Sequence, residues 1–332
     1  MIAQVDSSYV RARPWKLWSR LVSYAFFEGR PLTTRGRWFN HVVFANLALA
    51  RRLPKLRQVE RPVFILGTGR SGTTVLGIVL SMHRDVGYLN EPKALWHRIH
   101  PAEDLIGSYS SGPASYRLLA EDATDDAIRA ARHMYSTYLL FSMSRRVVDK
   151  YPELVFRVPF VKALFPDAKF LFLVRNGWDT VASIESWSGR HGEVVDSAIH
   201  DWWGADRRKW KILADQLVPE HADLAANGER INALEKQTDM AAVEWILTMR
   251  EGLRVMADYP QDFLRVDYEA LCRSPGDSWA RICEFAGLRV DDTARRYAES
   301  ILKPNTPRGP VPLDPALVQP FHQTMEALGY AA

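Results

Sequence analysis

The chain has 332 residues, of which 47% are hydrophobic and 25% are charged, with 43 Lys+Arg against 39 Asp+Glu. This composition is typical of a globular protein with a full core, and the 11% of aromatic residues excludes disorder over most of the chain. The two cysteines, Cys272 and Cys283, exclude a disulfide scaffold and a cysteine-based zinc site.

The N-terminal sixty residues carry the basic character of the chain. Residues 1–60 hold 11 Lys+Arg and 3 Asp+Glu, a net charge of +8, and the remainder carries −4. A basic region confined to one end argues against a general nucleic-acid binder, so no nucleic-acid partner is expected. Within residues 11–57 aromatic residues alternate with arginines. We expect helices that pack on the domain edge with a solvated basic face; the alternatives are contact with an anionic membrane and a homo-oligomer contact.

Targeting and membrane-spanning signals are weak in this sequence. The longest apolar stretch near the N-terminus, residues 42–50, is interrupted by Asn46 and falls short of the roughly 20 residues that a spanning helix needs. Residues 1–10 lack the basic region and apolar run of a signal peptide. We therefore expect a cytoplasmic protein, with association with a membrane surface as the alternative.

The first predicted elements are a strand, a glycine-rich turn and a helix. Residues 61–66 (RPVFIL) form a short apolar run rich in β-branched residues, and residues 73–82 follow as a helix. A second apolar run, residues 169–174 (KFLFLV), is followed by turn residues and by Asp179, which can cap a helix that extends through Trp187. Alternating strands and helices predict an α/β fold with a parallel sheet.

Further elements fill the rest of the chain. We expect strands at residues 154–158 and 263–266, and helices at residues 125–144, 238–257 and 278–286. Six prolines in residues 303–320 predict an extended closing loop, and residues 325–330 predict a short helical turn. The expected organisation is a basic helical segment (1–60), the α/β domain (61–290) and a proline-rich closing segment (291–332).

The strongest motif is the turn at residues 67–74 (GTGRSGTT), directly after the first strand. Glycines let backbone N–H groups approach an anion, and the following helix directs its positive end to the same place. The motif is not a standard Walker A loop, because Thr73 stands where that loop has its lysine. The spacing of Gly67, Gly69 and Gly72 fits a dinucleotide-binding turn, but no acidic ribose partner follows a second strand. We therefore predict an anion site, and these two departures disfavour an ATPase site and a dinucleotide site.

Two signatures in the chain resemble those of the sulfotransferases that use 3′-phosphoadenosine 5′-phosphosulfate. The first is a strand and a loop ending in Arg-Ser-Gly-Thr-Thr, here residues 70–74. The second is a strand ending in Val-Arg-Asn, here residues 174–176, with Ser183 eight positions after the arginine. The resemblance covers residues 61–290 and implies a P-loop-like parallel sheet flanked by helices, the sulfotransferase fold, in a single main domain.

Three further segments are similar to the branch that includes bacterial sulfotransferases and tyrosylprotein sulfotransferases. They are residues 90–92 (NEP), 149–152 (DKYP) and 267–271 (DYEAL). The resemblance implies that Glu91, 21 positions after the loop arginine, is the catalytic base. It also implies that Lys150 neutralises the transferring group and that Tyr268 lies near the nucleotide; solvated and half-buried structural roles are the alternatives for these two residues.

The donor has two anionic groups and therefore requires two sites. The loop residues Arg70, Ser71, Gly72, Thr73 and Thr74 would hold the 5′-phosphosulfate, and Arg70 with the loop N–H groups would stabilise the charge on the leaving phosphate.

The second anion site and the base complete the expected reaction centre. Arg175 and Ser183 would hold the 3′-phosphate, at the carboxyl edge of the sheet where α/β folds bind ligands. A carboxylate in a partly closed apolar site can have a raised pKa, which would suit Glu91 as a base near neutrality. A histidine, best represented by His97, is the alternative base. No metal is expected to take part.

The expected function is transfer of a sulfuryl group from 3′-phosphoadenosine 5′-phosphosulfate to an acceptor hydroxyl by in-line displacement. The acceptor is a small molecule, a lipid or a glycan, and no motif chooses among them. The alternatives are a P-loop-type ATP-dependent small-molecule kinase and a non-catalytic protein that binds a membrane surface through residues 11–57.

Overall fold

A five-stranded parallel β-sheet forms the centre of the described part of the chain. The structure, a computed structural model, describes residues 4–31, 36–195 and 198–331. In spatial order the sheet runs β2, β3, β1, β4, β8, and a small antiparallel sheet of β5, β6 and β7 lies apart from it. The strands are β1 (Val63–Gly67), β2 (Val86–Asn90), β3 (Arg146–Lys150), β4 (Lys169–Val174), β5 (Glu193–Val195), β6 (Ala198–Asp201), β7 (Gly204–Ala205) and β8 (Phe263–Asp267).

Helices flank both faces of the sheet and fill the connections between its strands. They are α1 (Ser7–Ala12), α2 (Lys16–Phe26), α3 (Asn40–Ala50), α4 (Thr73–Ser81), α5 (Lys93–Ile99), α6 (Asp125–Phe141), α7 (Val158–Leu164), α8 (Gly177–His191), α9 (Arg208–Gln216), α10 (Ala222–Ala225), α11 (Gly228–Asn232), α12 (Gln237–Asp258), α13 (Tyr268–Arg273), α14 (Pro275–Ala286), α15 (Asp292–Ile301) and α16 (Pro315–Ala327). Among the described residues, no helix combines the length and apolarity that crossing a bilayer requires.

Strand β1 shows why the predicted α/β class is correct. All five of its residues are buried, as expected for a central parallel strand covered by helices on both faces. Phe64 and Leu66 pack into the core on one face, and Val63 and Ile65 pack into the core on the other. Burial of each such side chain stabilises the fold by ~1.5–3 kcal/mol, so the sheet is a rigid platform for the loops at its carboxyl edge.

The structure corrects the prediction of a strand at residues 154–158. The segment Pro152–Arg157 is a 3₁₀ helix, and α7 follows it directly. Pro152 and Pro159 flank the segment and occupy the first turns of these two helices, where a proline costs no intrahelical hydrogen bond. Two strands of the sheet were not predicted from the sequence. They are β3, which lies next to β1, and β2, which lies at the edge beyond β3.

Strand β3 was missed because charged residues end its apolar run. Asp149 is nevertheless fully buried, where its carboxylate accepts hydrogen bonds from Trp96 Nε1 at 3.0 Å and from the Tyr135 hydroxyl. Burial, opposed by these two hydrogen bonds, raises the pKa of Asp149 to about 7. These partners make a carboxyl group tolerable inside the sheet.

Two other boundaries differ from the sequence prediction. The side chain of Asn176, rather than that of Asp179, caps α8 by accepting from the N–H groups of residues 178 and 179. The proline-rich segment is extended only as far as Asp314, which caps α16. Because Pro315 is the first residue of that helix, its missing N–H costs no intrahelical bond. The expected short turn at residues 325–330 therefore includes the end of a 13-residue helix.

The N-terminal segment lies along β2, the edge strand of the sheet. Lys16 Nζ donates to the carbonyl oxygen of Val86 at 2.5 Å, and Arg20 Nη1 donates to that of Tyr88 at 2.5 Å. Farther along the same edge, the N–H of Asn90 donates to Glu28 Oε1 at 2.9 Å. Side chains thus occupy the positions at which a neighbouring strand would bind, and they protect the edge from pairing with another chain.

Candidate active site

A cavity of about 540 Å³ opens at the carboxyl edge of the central sheet. Its wall is formed by the loop after β1, the segment after β2, the chain that follows α2, and residues around β6 and β7. The lining residues include Gly69, Arg70, Thr74, Glu91, Lys93, Glu153, Trp202, Lys209, Tyr24 and Arg30. Two of the three candidate catalytic residues, Arg70 and Glu91, therefore face one common space, whereas Lys150 does not line it.

The glycine-rich loop is shaped by close contacts with two aromatic rings. Gly72 has φ +103°, and a Cβ at this position would come within 2.4 Å of the Tyr268 ring. A Cβ on Gly69 would come within 2.4 Å of the Trp202 ring. Only glycine fits at either position, so the sequence G-x-x-G here is a steric requirement of this pocket.

The loop side chains differ in their availability to a ligand. The Ser71 hydroxyl is buried and donates to the Thr68 carbonyl oxygen at 2.6 Å, so it stabilises the loop itself. Thr73 is also buried, whereas Thr74 lines the cavity. The helix α4 begins at Thr73, which directs its free N–H groups at the loop.

Arginines gather beside this loop, in a group here called the arginine side (Arg70, Arg175 and Arg190). Arg175 Nη1 donates to the Arg70 carbonyl oxygen at 3.1 Å, and Arg70 Nε lies 3.4 Å from Ser183 Oγ. Burial, together with the charges of Arg190 and Arg175, lowers the pKa of Arg70. The three residues expected to bind the two anionic groups of the donor, Arg70, Arg175 and Ser183, are thus brought together.

The arginine side carries more positive charge than its surroundings neutralise. Among the described side chains, the one ion pair of these three arginines joins Arg175 Nη2 to Asp179 Oδ2 at 3.9 Å. Arg175 Nε and Thr68 Oγ1 are buried and have no hydrogen-bond partner among the described atoms. Buried polar atoms normally have partners, so these two atoms are available to form hydrogen bonds with a ligand.

The ring of Tyr268 lies between the loop and Arg175. The guanidinium carbon of Arg175 is 4.4 Å from the ring centroid, and Asn305 Nδ2 donates to the Tyr268 hydroxyl at 3.1 Å. Asn305 belongs to the extended segment after α15, and Arg308 in the same segment donates its N–H to Asp179 at 2.7 Å. The closing segment therefore contacts Tyr268 and Asp179, the two residues that flank Arg175.

On the opposite wall lies a group here called the lysine side (Glu91, Lys93, Lys150, Glu153, Lys209 and Glu244). Lys150 Nζ donates to Glu91 Oε1 at 2.5 Å, and Lys93 Nζ lies 3.7 Å from Glu91 Oε2. The Lys150 side chain is 1% exposed, whereas that of Glu91 is 38% exposed and faces the cavity. Glu91 has φ +47°, a conformation that non-glycine residues rarely adopt and that is concentrated at functional sites.

The structure overturns the expectation that the pKa of Glu91 is raised. Burial alone would raise it, but the charges of Lys150 and Lys93 outweigh that effect and lower the pKa of Glu91 below its ordinary value of 4.5. Glu91 is therefore an ionised carboxylate at neutral pH and can accept a proton without first losing one.

Behind Glu91, further lysines and glutamates form ion pairs with one another. Lys209 Nζ lies 3.3 Å from Glu153 Oε1 and 2.5 Å from Glu244 Oε1, and Glu244 Oε2 accepts from Trp202 Nε1 at 2.7 Å. Although burial opposes both shifts, the nearby lysines lower the pKa of Glu153 to about 2, and the glutamates raise the pKa of Lys209. The network fixes the Trp202 ring against Gly69, and so joins the lysine side to the loop.

The structure places His97 away from the cavity. Its ring lies between Phe44 and Tyr109, with centroid distances of 6.2 and 5.6 Å, and burial lowers its pKa. It does not line the cavity that contains Glu91. Within the part of the chain that the structure describes, no group of three or more His, Cys, Asp or Glu residues is arranged to hold a metal ion.

Several residues of the site carried no signal in the sequence. Lys209 and Glu244 lie more than a hundred positions from the loop and match no motif, so only their charge could have suggested a role. Tyr24 and Arg30 also match no motif. They bring the basic N-terminal segment into the wall of the cavity.

A model of the sulfotransferase family matches residues 62–292, more than half of the chain. The chain therefore belongs to the sulfotransferase family. This assignment confirms the resemblance seen in the two sequence signatures, and it covers the sheet, the glycine-rich loop and both sides of the cavity.

Two curated proteins are similar to parts of the chain. The nodulation protein NoeE of Sinorhizobium fredii (strain NBRC 101917 / NGR234) is 31% identical over 133 residues, which are 37% of this chain and 30% of that protein. The protein-tyrosine sulfotransferase of Drosophila melanogaster is 33% identical over 127 residues, 37% of this chain and 25% of that protein. The matched region thus spans less than a third of the length of either relative.

A solved structure supports the fold. The sulfotransferase domain from the curacin biosynthetic pathway superposes with a TM-score of 0.50 at 16% identity and covers 82% of this chain and 99% of that domain. At this identity the likeness concerns the arrangement of strands and helices, which is the sulfotransferase fold expected from the sequence.

Proposed function

We propose that this protein transfers a sulfuryl group from 3′-phosphoadenosine 5′-phosphosulfate to an acceptor hydroxyl. One observation carries the proposal: Arg70, which belongs to an arginine side with more cationic than anionic groups, lines the same cavity as the ionised carboxylate of Glu91. A site for an anionic donor and a base for a hydroxyl acceptor are thereby adjacent.

The residues present fit the anionic groups of the donor. The buried Arg175 Nε and Thr68 Oγ1 lack partners, and a phosphate would supply acceptors for them. In this proposal Arg175 and Ser183 bind the 3′-phosphate. Arg70, Thr74 and the N–H groups at the start of α4 bind the 5′-phosphosulfate. Gly72 and Tyr268 shape the path between the two groups.

The chemistry requires a base and stabilisation of the leaving group. Glu91 accepts the proton of the acceptor hydroxyl, the acceptor oxygen forms a bond to sulfur, and the bond from sulfur to the phosphate oxygen breaks. The electron pair of that bond remains on the 5′-phosphate, where Arg70 and the loop N–H groups stabilise the negative charge. Lys150 holds Glu91 in place and supplies a further positive charge at the junction of the two sides.

A kinase reaction fits these residues less well. No lysine follows Gly72, and a kinase of this type needs one to reach the terminal phosphates of ATP. The family assignment also gives the kinase alternative no support. A purely membrane-binding function would leave the paired Glu91 and the unsatisfied Arg175 without a role.

Binding of the reaction product tests the donor site directly. Adenosine 3′,5′-bisphosphate at 100 times its Kd is expected to stabilise the folded protein by about 2.7 kcal/mol, measured as a rise in Tm. ATP with Mg²⁺ at the same concentration is the matched control and should produce a smaller shift. No shift with millimolar adenosine 3′,5′-bisphosphate would contradict the proposal, and a larger shift with ATP would favour the kinase.

Turnover is tested separately. The protein is incubated with the donor and a cell extract, and mass spectrometry searches for acceptors that gain one sulfuryl group. The Glu91→Gln variant serves as the control for transfer that does not depend on the site. Products that form equally with both proteins would contradict the assignment of Glu91.

A further inference from the structure

Helix α2 has its polar residues on the inside and its apolar residues on the outside. Its buried residues include Lys16, Ser19, Arg20 and Ser23, whose spacing of i, i+3, i+4 and i+7 places them on one face. This is the reverse of an ordinary surface helix. The polar residues of this face are buried because two of them, Lys16 and Arg20, donate hydrogen bonds to backbone carbonyl oxygens of the edge strand β2.

The outer face of the segment is unusually apolar. Trp18 on α2 is 51% exposed, and Trp38, just before α3, is 74% exposed. Eight of the thirteen large exposed apolar side chains in the described residues lie between positions 15 and 56, and these eight are Trp15, Trp18, Leu21, Phe26, Trp38, Val42, Leu49 and Leu56. Such a concentration within one short segment is typical of an interaction surface.

The charged side chains that residues 7–59 themselves expose have one sign, and at the end of α3 Arg51 pairs with the exposed Asp126 of α6. Residues 7–59 contain a single carboxylate, Glu28, which is buried and paired with Arg20. The exposed charged side chains described in this range are all basic, namely Arg11, Arg37, Arg52, Lys55 and Arg57. Exposed tryptophans together with arginines and without carboxylates match the interface of an anionic bilayer.

A second copy of the chain fits this surface less well. A symmetric dimer would place the same surface of each copy against the other, so basic residues would face basic residues. Like charges at a contact oppose association. Charge complementarity therefore favours an anionic lipid surface as the occupant.

The surface is continuous with the cavity. The guanidinium of Arg30, which lines the cavity, lies 4.0 Å from the Tyr24 ring centroid and 5.1 Å from that of Phe39. Phe39 in turn contacts the exposed Trp38 ring edge-on, with a centroid distance of 5.6 Å. A continuous series of side-chain contacts thus connects the wall of the cavity to the outer apolar surface.

We propose that α2 and α3 dock the protein on an anionic membrane and that its acceptor is the hydroxyl of a membrane-borne lipid. The second part rests on the function proposed above, whereas the first does not. A lipid headgroup that rises from the membrane beside Trp38 would reach Glu91 past Arg30 and Tyr24. The tail would remain in the bilayer, so the polar cavity would need to hold only the headgroup.

Vesicle sedimentation with the full chain tests the docking surface. Vesicles of phosphatidylcholine with about one third phosphatidylglycerol are expected to bind the protein, and raising NaCl from about 0.1 M to about 0.5 M should weaken binding several-fold. The double variant Leu21→Glu/Trp38→Glu should bind at least about tenfold more weakly, because it places carboxylates on the apolar surface.

A matched double variant controls for the added charge. Val290→Glu/Val318→Glu makes the same change at two exposed apolar residues outside the segment, and it should bind vesicles about as well as the unchanged chain. Equal binding by the two double variants would overturn the proposal. A dimer in size-exclusion chromatography that Leu21→Glu/Trp38→Glu dissociates, with no vesicle binding by either protein, would assign the surface to a second copy instead.

The acceptor is tested with a sulfur-labelled donor and isolated cell membranes. After extraction with organic solvent, the label is expected in the lipid fraction, and Leu21→Glu/Trp38→Glu should lower that yield about tenfold without weakening adenosine 3′,5′-bisphosphate binding. Label found only in water-soluble or protein products would overturn the lipid acceptor. Failure of the unchanged chain to bind adenosine 3′,5′-bisphosphate would contradict the proposed transferase function. It would not affect the membrane-docking proposal, which the vesicle experiment tests separately.

Discussion

The arginine side and the lysine side of the cavity use positive charge differently. On the lysine side each lysine is paired with a glutamate, and Lys150 with Glu91 is one example at 2.5 Å. On the arginine side the described ion pairing is limited to Arg175 with Asp179 at 3.9 Å. Arg70 follows β1 and Glu91 follows β2, so both groups reach the same edge of the sheet and differ in how their side chains are paired.

The difference indicates what each group is for. Cations that are already neutralised cannot attract a further anion strongly, but they can hold a carboxylate in one position and keep it ionised. Cations that lack partners carry a desolvation penalty that an arriving phosphate relieves. Charge balance therefore separates a positioning group from a binding group where residue type alone does not.

The largest effect is expected from removing the base. Glu91→Gln should lower kcat by about 10²- to 10⁴-fold, since the amide cannot accept the proton of the acceptor hydroxyl. The measurement is initial rate with saturating donor. Glu220→Gln is the matched control, because Glu220 is also 38% exposed and lies 2.5 Å from an arginine in an ion pair. An unchanged kcat in Glu91→Gln would remove Glu91 from the mechanism and leave the donor site intact.

The next largest effect is expected at the unsatisfied arginine. Arg175→Met should weaken binding of adenosine 3′,5′-bisphosphate by about 1.5–3 kcal/mol, or roughly 10- to 150-fold, since hydrogen bonds to a charged group are lost. Titration calorimetry measures the change. Arg265→Met is the control on the neighbouring strand, where the arginine is already paired with Asp267 at 2.6 Å. Equal loss in both variants would mean that overall charge, rather than Arg175, sets the affinity.

An effect of intermediate size is expected on the pH dependence of kcat/KM when Lys150 is replaced. In the unchanged protein kcat/KM should fall only as pH drops below about 4.5, because the lysines lower the pKa of Glu91 and keep it deprotonated above that value. Lys150→Met removes a cation while the burial of Glu91 persists, so the pKa of Glu91 rises and the acid limb should move to higher pH. The pH profile of kcat/KM checks this. A limb that stays in place would show that Lys150 does not control Glu91.

The smallest expected effect is a gain in affinity for adenosine 3′,5′-bisphosphate. Asp179→Asn removes the negative charge nearest to Arg175 but keeps the oxygen that accepts the Arg308 N–H. Adenosine 3′,5′-bisphosphate should then bind about two- to fivefold more tightly, since a weak ion pair is worth about 0.5–1 kcal/mol. Titration calorimetry at low salt gives the measurement. Weaker binding would show that Asp179 supports the site through its hydrogen bonds and not through its charge.

The sequence placed Arg70, Arg175 and Ser183 at one edge of the sheet, where the structure has them, because local motifs encode their positions. The strand, loop and helix around Arg70 occupy about twenty consecutive residues, and Arg175 with Ser183 repeats the same order of elements. Glycines and hydroxyls at fixed positions in a turn between a strand and a helix are typical of an anion-binding loop. The α/β class followed from the apolar runs of β1 and β4 for a similar reason.

The lysine side was largely hidden, because long-range contacts assemble it. Lys93, Glu153 and Lys209 come from three separate helical segments, and in sequence each is an ordinary charged residue. The lowered pKa of Glu91 depends on its lysine neighbours, so reasoning from burial alone gave the wrong sign. The inverted face of α2 was missed because polarity patterns assume that apolar residues point inward.

The protection of β2 by Lys16, Arg20 and Glu28 also has a consequence for biosynthesis. These side chains precede their partners on the strand by 70, 68 and 62 positions, so α2 leaves the ribosome well before the edge that it covers. At about 5–20 residues per second, several seconds pass before β3 emerges and β2 can enter the sheet. During that interval the aromatic face of α2 is accessible to the chaperones and membranes around the ribosome. A chain that began just before β1 would fold with a bare strand edge and would be prone to aggregate through it.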